Sequence, residues 1–284
     1  KPSRISILRQ KAKELVEKMA KVDNIKVNLI PFSNSSNTPV FWENLLYYDN
    51  HRGMWIKIIP EEWKDAKERK EELYKLISTL QPGGGTNVGD GIRRAYYRLN
   101  EYDNKDANKY MILLMDGVPT FGSVHRAQSQ SYWFSDYLGD SREYNNYRYY
   151  YMGKRDERYY NYPYYYITYF NIEFVTENIY LGNRYNNVVE HPYDGRHYTG
   201  GRYAGPGHIS DEYISKPYIT EMSKKLTNIK NTKGENNLKV FVIGFSNVPE
   251  EKEELEFITG ELDKYTKQAT SYDVTDAEGL EKVF

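Results

Sequence analysis

Two short segments place oxygen donors where they could do chemistry. Met111-Ile112-Leu113-Leu114-Met115 is an unbroken apolar run that stops on Asp116 and the turn Gly117-Val118-Pro119-Thr120. A buried parallel strand reads this way when it delivers one carboxylate to the carboxyl edge of an α/β sheet, the edge at which such folds bind ligands. Upstream, Gly83-Gly84-Gly85-Thr86-Asn87-Val88-Gly89-Asp90-Gly91-Ile92 is a glycine-rich loop presenting a hydroxyl just before a helix. Thr86 and Asp116 can therefore converge on one spot. Both are hard donors, suited to Mg²⁺ or Mn²⁺, and Mg²⁺ in particular keeps several waters when bound. Alone, Asp116 could cap its turn and Thr86 could be an ordinary helix N-cap. Asp90 suits the positive end of the helix better than a metal. The joint occurrence of Thr86 and Asp116, in this order around a glycine run, carries the metal reading.

Other chemistries find little support. The five histidines, His51, His125, His191, His197 and His208, include no pair at i, i+4 spacing, and cysteine is absent, so zinc and thiolate sites are not indicated. Ser33-Asn34-Ser35-Ser36 has no nucleophile-elbow glycines, and the Gly83 loop lacks the lysine of a phosphate-binding loop. No carboxylate pair stands out as acid and base, so no enzyme, catalytic residue or organic cofactor is expected. A net charge of −1 over 284 residues gives no basic field for nucleic acid. No apolar run is long enough to span a membrane. The absence of cysteine fits a cytosolic protein and a disulfide-free extracellular one equally.

The elements that must position these donors alternate. Ile5, Leu8, Ala12, Leu15, Val16 and Met19 predict an opening amphipathic helix. Ile25 to Phe32 reads as a strand, with Pro31 near its end or at an edge. A first insert, residues 34–60, holds Phe41, Trp42, Tyr47, Tyr48 and Trp55, with a short strand over Met54 to Ile59. Pro60-Glu61-Glu62 reads as a helix start, with Trp63, Ala66, Lys70, Leu73, Ile77 and Leu80 as its buried stripe. Further helices follow Thr86, carry Ile214 to Ile229, and open at Pro249. Thr275-Asp276-Ala277-Glu278 has the capping-box pattern of a last one. The expected fold is α/β, a doubly wound and mostly parallel sheet flanked by helices, in one domain over residues 1–284.

Residues 121–210 interrupt that alternation. Most of the 30 tyrosines, against 10 phenylalanines, fall there, in runs such as Tyr147-Arg148-Tyr149-Tyr150-Tyr151 that lack helical period and aliphatic content. Two readings stay open: an aromatic arm packed on itself, or an interaction surface, since tyrosine offers large contact area at low entropic cost.

The pair GGGTNVGDGI and MILLMDGVPT resembles the second and third segments of the metal-ion-dependent adhesion site of von Willebrand factor A domains. Val240-Phe241-Val242-Ile243-Gly244-Phe245-Ser246 is similar to that family's penultimate strand, and the likeness covers roughly residues 1–33, 62–120 and 210–284. The family's first segment, Asp-x-Ser-x-Ser, occurs nowhere in the chain. The opening helix is the one that follows it in the family, so the first strand and that motif are expected upstream of Lys1. The resemblance implies a Mg²⁺ (or Mn²⁺) site using Thr86 and Asp116, completed by that upstream motif and by an acidic side chain from a partner.

Within the family the inserts resemble those of Gram-positive pilus adhesins. Both a type IV pilin with a grafted module and a sortase-assembled tip adhesin fit. That implies an extracellular location on the cell surface or pilus. It also implies partners among other pilus subunits and host matrix or receptor proteins such as fibronectin, fibrinogen or collagen. Two alternatives are an intracellular partner of an AAA-type ATPase and a structural stalk domain with an inactive metal site.

Overall fold

The computed structural model describes residues 3–33, 45–49, 52–60, 62–82, 86–115, 118–119, 121–123, 151–152, 167–168, 201–203, 215–245 and 248–273. Helix α1 (Arg4–Met19) starts at Ser3, whose hydroxyl accepts from the Ser6 amide. The two-residue strand β1 (Lys26–Val27), the hairpin β2 (Leu46–Asp49) and β3 (Met54–Lys57), and β4 (Lys64–Asp65) come next. The hairpin turns through Gly53 at φ +63°, a left-handed conformation that glycine adopts without penalty. Its outer face presents Tyr48 edge-on to Trp55 at 5.4 Å, and Trp55 is 64% exposed. β4 returns antiparallel to β1, and α2 (Lys70–Thr79) then packs on α1. Val16, Leu73 and Ile77 are buried in this small core, flanked by Val27, Leu29 and Tyr74. The Tyr74 hydroxyl donates to Glu17 at 2.5 Å and Lys70 pairs with the same carboxylate at 3.0 Å, fastening the two helices together.

Two sequence expectations are corrected here. The strand expected over Ile25 to Phe32 is confined to Lys26–Val27, and the helix expected from Pro60 begins only at Lys70. The cause is local hydrogen bonding. Ala66 donates its amide to the Ile25 carbonyl, while Asp65 accepts from the amides of Lys67 and Glu68 and so bends the chain into a turn. Lys64 is 1% exposed and its ammonium is wrapped by three carbonyls, those of Ile59 at 2.5 Å, Glu62 at 3.1 Å and Pro60 at 3.5 Å. A helix through this stretch would forfeit all of these. Arg69 then forks onto Glu72 with two bonds of 2.6 Å and reaches Glu62 at 2.8 Å, closing the turn from the far side.

The larger core belongs to α3 (Val88–Glu101), β5 (Lys109–Met115), α4 (Lys216–Lys225) with the 3₁₀ turn Leu226–Asn228, β10 (Leu238–Gly244), α5 (Pro249–Thr266) and β11 (Ala269–Asp273). Between β5 and α4 lie the short strands β6 (Phe121–Ser123), β7 (Tyr151–Met152), β8 (Ile167–Thr168) and β9 (Gly201–Tyr203); β6 pairs antiparallel with β9, and β7 with β8. The three long strands form a parallel sheet in the order β11-β10-β5. Met111, Leu113, Met115, Val240 and Val242 alternate along one face, where α3, α4 and α5 cover them with Ile92, Tyr218, Met222, Leu255 and Ile258. The opposite face carries a row of rings: Tyr110 stacks on Phe241 at 6.4 Å, and Phe241 meets Tyr272 at 6.3 Å.

A mixed helix and strand fold with a parallel three-stranded sheet is thus in place, and the doubly wound arrangement is seen in part. β1 and β4 form a separate antiparallel pair, and among the described residues β5 pairs along one edge only. Also among these residues, no helix is long and apolar enough to cross a membrane. The last helix expected from Thr275 lies outside the described residues.

Lys64 makes stability depend on pH. Burial, with Arg69 nearby, brings its ammonium down to about 8 from 10.5. Between those values the unfolded chain binds more protons than the folded one, so stability rises with pH across that window. Relative to Lys64→Met, the wild type should gain about 1–3 kcal/mol between pH 8 and 10, read from urea unfolding at each pH.

Candidate metal-site edge

The carboxyl edge of the sheet gathers several chain segments. α3 runs antiparallel to β5 across the turn of residues 102–108, so its first residues lie at the end where β5 finishes. The Met115 carbonyl accepts from the Phe245 amide at 3.0 Å, bringing the ends of β5 and β10 side by side. Ser33, at the end of the extended segment after β1, accepts from the Asn87 amide at 2.7 Å and joins the smaller core to the same edge.

Thr86 stands directly before α3 at this edge and is half-buried. The helix cap is its neighbour: Asn87 accepts the Asp90 amide through its side chain at 3.1 Å, so Thr86 is not the capping residue. Asp116 lies outside the described residues, immediately after Met115. Gly83, Gly84 and Gly85 lie outside them as well. Among the described residues no group of three or more histidine, cysteine, aspartate or glutamate side chains could hold a metal ion. Of the two donors that the sequence assigns to a hard cation, Thr86 and Asp116, Thr86 is the one among the described residues.

Beneath Thr86 is a buried polar cluster that sequence reasoning did not single out. Asp90 is 1% exposed and its Oδ1 accepts from Arg93 Nε at 2.7 Å and from the Tyr218 hydroxyl at 3.1 Å. Asp90 is thus tied to side chains within the fold. The Asn87-x-x-Asp90 spacing and Arg93 three residues on were legible as a cap and an ion pair. Tyr218 was legible only as part of a helix stripe, because nothing local in the sequence announces a contact between α3 and α4. Farther along α3, Arg94 is pushed down to about 10 by burial, with Arg98 adding repulsion.

The glycines in the first turn of α3 belong to the same packing. A Cβ at Gly89 would lie 2.3 Å from a ring carbon of the fully buried Tyr218, whereas one at Gly91 would lie 3.0 Å from the partly buried Phe32. Gly89→Ala should therefore destabilise the protein by about 1–3 kcal/mol in urea unfolding, and by more than Gly91→Ala does.

Comparison with known proteins bears on the fold. No protein-family model matches the chain. A stretch of 70 residues, 23% of the chain, is 33% identical to inter-alpha-trypsin inhibitor heavy chain H2 of Mus musculus and spans 7% of that protein. The Homo sapiens protein of the same name is 34% identical over a stretch of the same length. Among solved structures, the PilB minor pilin of Streptococcus sanguinis superposes with a TM-score of 0.59 at 21% identity, covering 100% of this chain and 53% of that one. A point mutant of the same pilin gives 0.59 at 20% identity, over 99% of this chain and 52% of that chain. The chain thus spans about half the length of the minor pilin and a small part of the curated relatives, and it shares its fold with the pilin.

Proposed function

We propose that the chain is the core of a metal-dependent adhesion module of a bacterial pilus, a binding protein rather than an enzyme, displayed outside the cell. The observation that carries this reading is the placement of Thr86 and the end of β5 on one carboxyl edge. The fold shared with a minor pilin supports the pilus setting. Thr86 and Asp116 would hold Mg²⁺ or Mn²⁺. The remaining oxygens would come from an Asp-x-Ser-x-Ser loop at the end of a further strand along the edge of β5 opposite β10. Bound there by few carboxylates, the cation would supply a Lewis-acidic position for an aspartate or glutamate of a host protein such as fibronectin, fibrinogen or collagen. Residues 121–210 would act as an arm beside it, its tyrosines supplying contact area and selecting the partner. The pairing of Phe121 with Tyr203 supports this, since it sets the two ends of the segment together at its root.

In the intact domain, Asp116→Ala should abolish Mn²⁺ binding in calorimetry with little loss of fold. Unchanged affinity would sink the assignment. Solid-phase binding to matrix proteins should collapse in EDTA; binding that survives chelation at full strength would remove the metal from adhesion. Replacing residues 121–210 by a short linker should preserve cooperative unfolding, because long surface insertions contribute little closure entropy, while changing which ligands are recognised. Loss of the cooperative transition would show that the tyrosines complete the core.

A further inference from the structure

We infer that Tyr218 is a positioning residue that ties the Thr86 loop to the root of the tyrosine-rich segment. Its hydroxyl and ring act on different parts of one turn. The hydroxyl donates to Asp90 Oδ1 at 3.1 Å, and the ring lies where a side chain at position 89 would otherwise sit. From Asp90 the connection runs outward through the backbone: the Asp90 amide donates to the Asn87 side chain at 3.1 Å, and the Asn87 amide donates to Ser33 at 2.7 Å. Thr86 is the residue that precedes this chain of bonds.

The other end of the tie is at the arm. Tyr218 lies in the first turn of α4, the first helix after β9. β6, the partner of β9 at the root, packs against both α3 and α4. The root therefore rests on the two helices that the Tyr218–Asp90 bond holds together, and a shift of either helix under it acts on Asp90. The contact is stiff: Tyr218 and Asn87 are fully buried, Asp90 is 1% exposed and Arg93 4%. A buried carboxylate holds its donors strongly, because losing one leaves charge unsolvated away from water.

The effect on metal affinity rests on Thr86 being a ligand; the mechanical tie does not. Tyr218→Phe in the intact domain separates the two, since it keeps the ring and removes only the hydroxyl. Amide hydrogen exchange without metal should quicken about tenfold in residues 86–90 and also in β6 and β9, while β10 and β11 keep their protection. Ile258→Val in α5, a core change of comparable cost, should produce no such selective pattern. With Mn²⁺ as the probe, wild-type β6 and β9 should gain protection and the Tyr218→Phe protein should not, with Mn²⁺ affinity reduced about threefold to tenfold. Unchanged exchange at residues 86–90 or at the root in Tyr218→Phe, or the same pattern in Ile258→Val, would overturn the tie. A wild type that binds no Mn²⁺, with Tyr218→Phe still showing the metal-free pattern, would overturn the metal reading and support the tie.

Discussion

Burial of one face of the β11-β10-β5 sheet under α3, α4 and α5 is the constraint on which the rest of the molecule depends. Leu238 through Gly244 pair in register with Lys109 through Met115, so the ends of β5 and β10 are level at one edge. Shifting that register by one residue would turn Met111, Leu113 and Met115 out of the core and bring Tyr110, Ile112 and Leu114 in. The position of whatever follows Met115 is therefore set by hydrophobic packing, before any polar group at the edge acts. The helices covering this face bring the start of α3 to the same edge because each crossover returns over the same face.

Much of this architecture was legible in the residues. β5 and β10 are continuous apolar runs, and α3 and α4 carry stripes at helical spacing, so their existence and type followed from periodicity, while α5 was announced by the proline that opens it. β11 was not foreseen: Ala269-Thr270-Ser271-Tyr272-Asp273 has little aliphatic content and is a strand because β10 offers it a ladder. The stretch from Glu62 to Arg69 misled in the opposite way. Its apolar spacing and leading proline suit a helix, but the side chains of Lys64 and Asp65 bind neighbouring backbone and hold it in strand and turn. Local side-chain to backbone bonds of this kind outweigh propensities of a few tenths of a kcal/mol per residue.

At the edge itself, sequence named Thr86 and read Asp90 as a group suited to the positive end of its helix. What it could not show was how Asp90 is held. The Arg93 partner is local, but the Tyr218 hydroxyl arrives from a helix far along the chain, and no pattern of types or spacing encodes that meeting. The buried charges in the two halves of the molecule are also managed differently. Asp90 receives a guanidinium and a phenol, whereas Lys64 is wrapped by carbonyls and has its ammonium's affinity for protons lowered. The first pairs a charge directly; the second surrounds a charge with carbonyl dipoles, with the Glu72 and Glu62 carboxylates acting from farther off.

The chain connectivity of β5 carries a consequence for how the protein reaches its native state. β10 and β11 are joined through α5 alone, and that unit has short-range contacts and a buried helix face of its own. β5 meets β10 only after the whole tyrosine-rich segment has been looped out, as the pairing of Lys109 with Leu238 requires. Non-local parallel pairing of this sort forms late, since chain entropy is lost before contacts compensate for it. During that interval the apolar β5, with its edges open, is the element most exposed to pairing with another chain, and the long crossover makes it the kinetically vulnerable strand of the sheet.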